Sequence, residues 1–130
     1  MRLLSWNVRG MRGSRTFRDL RDFYRVHRLD LIFLMETKMT SCQMGKVKKC
    51  LKMDEILSVA RREDSDGCSG GLCLLWNNNV KVEYRNSSLS FIDVMVTWED
   101  GYICRVTGFY GEPATNQRHL LWSLLRDLAR

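Results

Sequence analysis

The 130-residue chain contains no apolar run long enough to cross a bilayer, and its N-terminus lacks the apolar segment and cleavage site of a signal peptide. It has no internal repeat and no low-complexity tract. Its five cysteines form no Cys-x-x-Cys pair and fit no zinc-binding spacing. We therefore expect an intracellular protein with no membrane partner, whose cysteines are reduced and structural.

Histidine is also scarce, because the sequence contains only His27 and His119. His27 falls on the apolar face of a predicted helix, where packing is its expected role. His119 belongs to the last predicted helix and is expected at the surface. Asp93 lies in the middle of a predicted strand, so we assign it no catalytic role. No general base, the proton acceptor that activates water, is evident from these residues.

Basic residues outnumber acidic ones by 21 to 15, which gives a net charge of +6 and a pI of about 9.3. This excess favours a polyanionic partner, such as nucleic acid, a phosphoinositide or a membrane surface. The alternative is a basic domain without such a partner. Charge alone does not decide between them.

Hydrophobic periodicity predicts a strand, a helix and a buried strand in the first 36 residues, followed by a second helix and five strands. Strand, helix and strand form a βαβ unit with parallel strands and a right-handed crossover. Asp100-Gly101 is a hairpin signal, and Thr16 with Asp19 resembles a helix-capping pair. The predicted elements are strand 3–8, helix Thr16–Arg28, strand Leu29–Glu36, helix Ser41–Leu51, strands Ile56–Arg61, Ser69–Trp76, Val80–Arg85, Leu89–Trp98 and Tyr102–Tyr110, and a helix from Pro113.

Both early helices carry cations on one face. The first has arginines at helical spacing, and Asp19 and Asp22 are placed to pair with some of them. The second presents a lysine cluster outward. The arginine stripe is interpreted as a solvated face, with a nucleic-acid contact as the alternative. The cations are Arg18, Arg21, Arg25 and Arg28 in the first helix, and Lys46, Lys48, Lys49 and Lys52 in and after the second.

Two polar side chains end the strands of the predicted βαβ unit, Asn7 on the first strand and Glu36 on the second. The carboxyl ends of parallel strands are where open α/β folds bind ligands. A carboxylate ending a buried strand needs a partner, and Mg²⁺ accepts a few carboxylates together with water. The alternatives are an asparagine that serves a turn and a Glu36 paired with Lys38 or an arginine.

Four motifs occur in a familiar order, WNVRG at 6–10, ETK at 36–38, SGGLCLLW at 69–76 and TGFYGEP at 107–113. Together they resemble the endonuclease/exonuclease/phosphatase superfamily, which includes the AP endonucleases and deoxyribonuclease-I-like enzymes. The details are most similar to the endonuclease domain of plant LINE-type (non-LTR) retrotransposons. That likeness rests on the FYG-x-P motif and a following helix that contains Arg118 and Trp122. The resemblance spans essentially the whole chain.

The resemblance implies an α+β fold that is part of a four-layer α/β/β/α sandwich. The chain would supply mainly one mixed sheet with helices on its outer face, and the inner face of that sheet would be left open. The implied reaction is Mg²⁺- or Mn²⁺-dependent hydrolysis of DNA phosphodiester bonds. Asn7 would orient the catalytic groups, Glu36 would bind the metal and Tyr110 would contact the scissile phosphate.

The same resemblance suggests residues that contact nucleic acid. The three arginines after the first strand, Arg9, Arg12 and Arg15, would line the rim of the site and contact the phosphate backbone. Ser69 and Gly70 in the glycine-rich loop would allow the backbone to approach the substrate. The alternative for that loop is room for the backbone inside a packed sheet.

Two late motifs of the superfamily, a GDFN-like and an SDH-like segment, do not occur in the sequence. We therefore expect residues 1–130 to be the N-terminal portion of one domain and to be inactive alone. Whether the chain is an enzyme stays open. The implied partners are DNA and the remainder of a polyprotein with reverse transcriptase, in the nucleus. The alternatives are a non-catalytic nucleic-acid-binding remnant and a same-fold phosphatase acting on a phosphoinositide or another small phosphoester.

Overall fold

The computed structural model describes residues 2–11, 13–59, 63–64, 67–68 and 71–109. In these ranges no helix is long and apolar enough to span a membrane. The final predicted helix lies outside the described residues. The elements in chain order are β1 (Leu3–Asn7), α1 (Ser14–His27), β2 (Leu31–Met35), α2 (Ser41–Leu51), β3 (Glu55–Val59), β4 (Glu63–Asp64), β5 (Gly67–Cys68), β6 (Leu72–Trp76), β7 (Lys81–Ser87), β8 (Phe91–Thr97) and β9 (Ile103–Phe109).

Four strands form a mixed sheet in the order β1-β2-β6-β3. β1 and β2 are parallel, as the predicted βαβ unit requires, and the other pairs are antiparallel. The two central strands have the sequences LIFLM and LCLLW, and four of the five residues in each are buried. Such continuous apolar runs suit strands that are covered on both faces.

Helices α1 and α2 cover one face of this sheet. Leu20 of α1 and Met44 of α2 are fully buried there, against Ile32 and Leu75 of the sheet. We call residues 14–28 and 41–52, the two helices with their C-caps, the helix layer.

The two helices begin differently. α2 starts with a capping box, in which the Gln43 N–H donates to Thr40 Oγ1 (3.1 Å) and the Thr40 N–H donates to Gln43 Oε1 (2.9 Å). The N-cap of α1 is Gly13, which has no side-chain cap. The predicted capping pair of Thr16 and Asp19 is therefore wrong, because α1 begins at Ser14 and Thr16 already lies inside it.

Strands β7, β8 and β9 form a separate antiparallel meander. The predicted Asp100-Gly101 turn connects β8 to β9, and Gly101 has a φ of +89° there. The Gly101 N–H donates to the Trp98 carbonyl (2.9 Å), and the Trp98 N–H donates to the Tyr102 carbonyl (2.8 Å). The hairpin signal is thus confirmed.

The three-stranded sheet packs on the face of the mixed sheet opposite the helices. Leu31, Phe33 and Leu74 of the mixed sheet share a core with Ile92 and Val94 of β8. The α+β class, with a mixed sheet and helices on its outer face, is confirmed. The expected open inner face is wrong, because β7–β9 do not extend the first sheet but cover it.

One glycine allows this close packing of the sheets. Gly108 of β9 faces the ring of Phe33, and a Cβ at position 108 would overlap that ring. A side chain there would push β9 away from β2. Gly108 therefore sets how closely the two sheets approach each other.

Asp93 projects from the other side of β8, because its neighbours Ile92 and Val94 both point into the core. Only 2% of Asp93 is exposed. Arg105 donates Nη2–H to Oδ2 (2.7 Å) and Nε–H to Oδ1 (2.9 Å), and Thr107 Oγ1 donates to Oδ1 (3.1 Å). The hydrogen bond from Arg105 lowers the pKa of Asp93 below its usual value. Asp93 thus has a structural role in a cross-strand ion pair.

Candidate active site

Asn7 and Glu36 lie at the same edge of the mixed sheet. Asn7 ends β1 and is paired in register with Met35, the residue immediately before Glu36. Parallel strands are about 5 Å apart. β6 begins at this edge, since Leu72 pairs with Met35 and also with Val59, the last residue of β3. We call this carboxyl end of β1 and β2 the site edge.

Backbone hydrogen bonds join three chain segments at the site edge. The Gly10 N–H donates to the Glu36 carbonyl (2.7 Å), and the Met11 N–H donates to the Thr37 carbonyl (2.9 Å). The Thr37 N–H donates to the Gly71 carbonyl (3.3 Å). The segments after β1, after β2 and before β6 are thereby held together beyond the ends of the strands.

Unfavourable backbone conformations are concentrated at this edge. Arg9, Glu36 and Lys38 have φ values of +52°, +53° and +53°. The other non-glycine residues with positive φ in the described ranges, Arg28 and Lys52, are helix C-caps, where this conformation is common. A left-handed conformation costs a non-glycine residue about 1–2 kcal/mol. Strain of this kind is characteristic of functional sites.

Gly71 has a packing reason to be glycine. Its φ is +99°, and a Cβ at position 71 would lie 2.5 Å from Oγ1 of Thr37. Thr37 is itself only 1% exposed. For this glycine the structure favours the alternative of backbone room inside the fold. Ser69 and Gly70 lie outside the described residues.

Both helices start near the site edge, since α1 follows β1 and α2 follows β2. Neither helix has an acidic residue in its first turn. Helix N-termini carry a partial positive charge and unpaired N–H groups, which favour anions. The electrostatics of this edge therefore suit a phosphate.

Asn7 lies at the end of β1 and Glu36 directly after β2, the strand-end positions that the sequence predicts. Asn7 is half-buried, and its Oδ1 accepts the N–H of Arg9 (3.1 Å), so it does serve a turn, as one alternative held. Glu36 is also half-buried. Arg9 and Arg15 are exposed, beside the end of β1 and in the first turn of α1. Arg12 lies outside the described residues.

Tyr110 also lies outside them, but the direction of β9 is clear. The turn before β9 lies near Asp30, at the opposite end of β2 from Glu36, because Asp30 and Asp100 line one cavity. Farther along β9, Gly108 reaches Phe33 in the middle of β2. β9 therefore runs towards the site edge and ends at Phe109.

Two features of the site edge were not predicted from the sequence. Lys38 was considered only as a partner for Glu36, yet it is exposed at the edge with a left-handed backbone. The capping box that fixes the start of α2 was also missed, although the spacing of Thr40 and Gln43 is a readable signal. No local sequence signal indicates the positive φ of Glu36 or Lys38.

The donor set at the site edge fits a weakly held hard cation. In the described ranges no group of three or more His, Cys, Asp or Glu side chains is placed to hold a metal ion. What the edge offers is the carboxylate of Glu36 and the amide of Asn7. Mg²⁺ is commonly bound through one or two carboxylates, with waters and substrate phosphates completing its shell. These residues suit such a site and do not suit an enclosed structural metal site.

No protein-family model and no curated protein matches the chain. Solved structures do match its fold. One is the endonuclease domain of TRAS1, a telomere-specific non-LTR retrotransposon, at 12% identity and a TM-score of 0.63, covering 95% of this chain. Another is humanized D. rerio TDP2, at 21% identity and a TM-score of 0.62, covering 96% of this chain. A third is the AP endonuclease LMAP from Leishmania major, at 17% identity and a TM-score of 0.56, covering 91% of this chain.

The chain spans about half the length of these structures, 52%, 56% and 42% of the respective chains. At such low identity the likeness shows the fold alone. The fold is that of part of a deoxyribonuclease-I-like domain.

Proposed function

We propose that this chain is the N-terminal portion of a metal-dependent phosphodiesterase domain that nicks DNA. The observation that carries the proposal is the site edge. There Asn7 ends β1 and Glu36 directly follows the adjacent parallel strand β2, beside a cluster of strained backbone and two helix N-termini. The fold likeness to two endonucleases supports the same function.

In this proposal Glu36 holds Mg²⁺ or Mn²⁺, which when bound neutralises phosphate charge during attack by water. Asn7 orients the reacting groups through its amide, while its bond to the Arg9 N–H fixes the side chain. Arg9, Arg12 and Arg15 contact the phosphate backbone at the rim. Tyr110 contacts the scissile phosphate.

DNA is the proposed substrate for two reasons. Two of the matched proteins are named as endonucleases, and a further structure, D. rerio TDP2 at 17% identity, is complexed with single-strand DNA product. The basic excess of the chain also suits a polyanion better than a small phosphoester. We therefore prefer a nuclease to a phosphatase, and a retrotransposon endonuclease is the proposed type.

Manganese binding tests the role of Glu36 without requiring catalysis. Electron paramagnetic resonance of free Mn²⁺ would be followed during titration of the chain with a short DNA duplex. We expect weak binding that is lost in Glu36→Gln and retained in Glu83→Gln, which removes an exposed carboxylate on β7. Equal binding by the parent chain and Glu36→Gln would contradict the proposed metal role.

A plasmid-nicking assay with Mg²⁺ or Mn²⁺ tests the activity itself. We expect no measurable nicking by the 130 residues, because the late GDFN-like and SDH-like motifs do not occur in them. Nicking that disappears in Glu36→Gln would show that this portion suffices for catalysis. Nicking that persists in that variant would indicate a contaminating nuclease.

A non-catalytic nucleic-acid-binding protein is the second candidate. It is favoured by the single-carboxylate donor set of the described edge and by the basic excess. DNA binding without Mn²⁺ binding at Glu36 would favour this candidate over the nuclease.

A further inference from the structure

The basic excess of the protein is located in one part of the fold. The helix layer contains nine lysines and arginines and two aspartates, a net charge of +7, against +6 for the whole chain. The remainder of the chain is therefore close to neutral, at −1. The excess of positive charge is therefore carried by α1 and α2 with their C-caps.

Seven of these cations are exposed, and six of the seven form two rows. Along α1 the row is Arg18, Arg25 and Arg28, and along α2 it is Lys46, Lys49 and Lys52. Seven- and three-residue spacings place Arg18 with Arg25, and Lys46 with Lys49, on one face of their helices, and the C-caps Arg28 and Lys52 follow at the helix ends. At 1.5 Å per residue the rows span about 15 Å and about 9 Å. Each length covers a few successive phosphates of a DNA strand, which carries one charge per 3.4 Å.

These six cations have no carboxylate partner in the described structure. No side-chain ion pair within 4.0 Å involves any of them, and Asp19 and Asp22 form none either. The expected pairing of these aspartates with the arginines of α1 is therefore not observed. Within the described ranges no ion pair therefore neutralises a cation of the two rows.

We propose that the helix layer is a second nucleic-acid-binding surface, which binds the phosphate backbone of duplex DNA independently of sequence. A membrane surface is the poorer partner for α2, because interfacial helices insert large apolar side chains. The apolar side chains of α2, Met44, Val47 and Leu51, are buried against the sheet, and α2 exposes no large hydrophobic residue, whereas α1 exposes Phe23 and Val26. The proposal does not depend on a catalytic site edge.

Fluorescence anisotropy with a labelled DNA duplex tests this surface. Measurements would be made in EDTA over a salt series, so that metal binding plays no part. The variant Lys46→Gln/Lys49→Gln/Lys52→Gln should bind more weakly, and the slope of log K against log salt should fall by about 2 to 3, since each phosphate contact contributes about 0.9. Arg18→Gln/Arg25→Gln should reduce the slope by about 1 to 2.

A charge-compensated variant provides the matched control. Adding Glu83→Gln, Glu99→Gln and Asp100→Asn to the triple lysine variant returns the net charge to +6 without restoring the row. These three residues are exposed and belong to the β7–β9 sheet and its turn. If the position of the lysines matters, the compensated variant should still bind DNA weakly. That result would support the proposal.

Three results would overturn it. Restored binding in the compensated variant would show that only net charge counts. Unchanged DNA binding in the triple variant, with loss of binding to phosphatidylserine vesicles, would assign the lysines to a membrane surface. Absence of DNA binding by the parent chain at low salt would exclude the surface altogether. No variant should melt well below the parent, because every substituted side chain is exposed.

Discussion

Arginines occur on both outer surfaces of the described structure, but their surroundings differ. On the β7–β9 sheet, Arg105 binds Asp93 with two short hydrogen bonds, and Arg85 lies 3.9 Å from the same carboxylate. In the helix layer, Arg18 and Arg25 are exposed and form no described ion pair. The charges of Arg105 and Arg85 are paired with Asp93 within the fold, whereas the charges of the helix layer are available to a partner.

The difference separates charges that stabilise the fold from charges that serve binding. A buried, hydrogen-bonded pair contributes to stability only while both partners are present. Exposed cations without partners contribute little to stability and repel one another. Substitutions in the two regions should therefore affect different measurements.

The largest effect on stability is expected for Asp93→Ala. It removes the acceptor of three side-chain hydrogen-bond donor atoms from a residue that is 2% exposed. Loss of such a charge-assisted network should lower the free energy of unfolding by about 1.5–3 kcal/mol. Chemical denaturation would measure the change.

The control is Glu83→Ala on β7, an exposed carboxylate with an expected effect within about 0.5 kcal/mol. The Asp93→Ala effect should also persist at high salt, because buried pairs are screened only weakly. If Asp93→Ala lowered the free energy of unfolding no more than Glu83→Ala does, charges on the two surfaces would not differ in their contribution to stability.

Lowering the pH is expected to affect stability less than Asp93→Ala does. Hydrogen bonding by Arg105 lowers the pKa of Asp93 in the folded state. The stabilisation is therefore fully present above the unfolded pKa of about 3.9 and is lost as the pH falls through the folded pKa. The melting temperature of the parent chain should exceed that of Asp93→Asn at pH 5, and the gap should narrow towards pH 3. A gap that is constant with pH would contradict this role of the ion pair.

The smallest effect on stability is expected for Arg18→Gln/Arg25→Gln in the helix layer. Because these side chains are exposed and without ion pairs, the free energy of unfolding should change by no more than about 0.5 kcal/mol. Relief of like-charge repulsion should also make the melting temperature less sensitive to salt than that of the parent. A loss comparable to that of Asp93→Ala would mean that these arginines stabilise the fold.

The sequence predicted the elements better than their arrangement. α2 was expected at Ser41–Leu51 and has those bounds, because its apolar residues recur at helical spacing. The buried strand β2 was recognised from its continuous apolar run. The second sheet was not recognised, because membership of a sheet depends on pairing between distant segments. The resemblance implied an open inner face of the mixed sheet, whereas β8 packs on that face with Ile92 and Val94 and carries Asp93 on its other side.

The candidate site was predictable to a similar degree. Asn7 and Glu36 were placed at one edge because parallel strands end together. Backbone hydrogen bonds from distant segments reach Glu36 and Thr37, and the residue types of Glu36 and Lys38 do not signal their left-handed backbone. The helix-layer charge was visible in the sequence, but the lack of ion pairs among the described residues depends on side-chain positions that the sequence does not determine.

The insertion of β6 between β2 and β3 also has a consequence for local opening. The backbone of β2 and β6 is hydrogen-bonded on both sides and lies between two cores. The amide hydrogens of these strands can therefore exchange with deuterium only when most of the described fold opens. β1 and β3 have one neighbour each among the described strands and should exchange faster. At the site edge, slow amide exchange in β2, before Glu36, would then adjoin faster amide exchange in β1, which ends at Asn7.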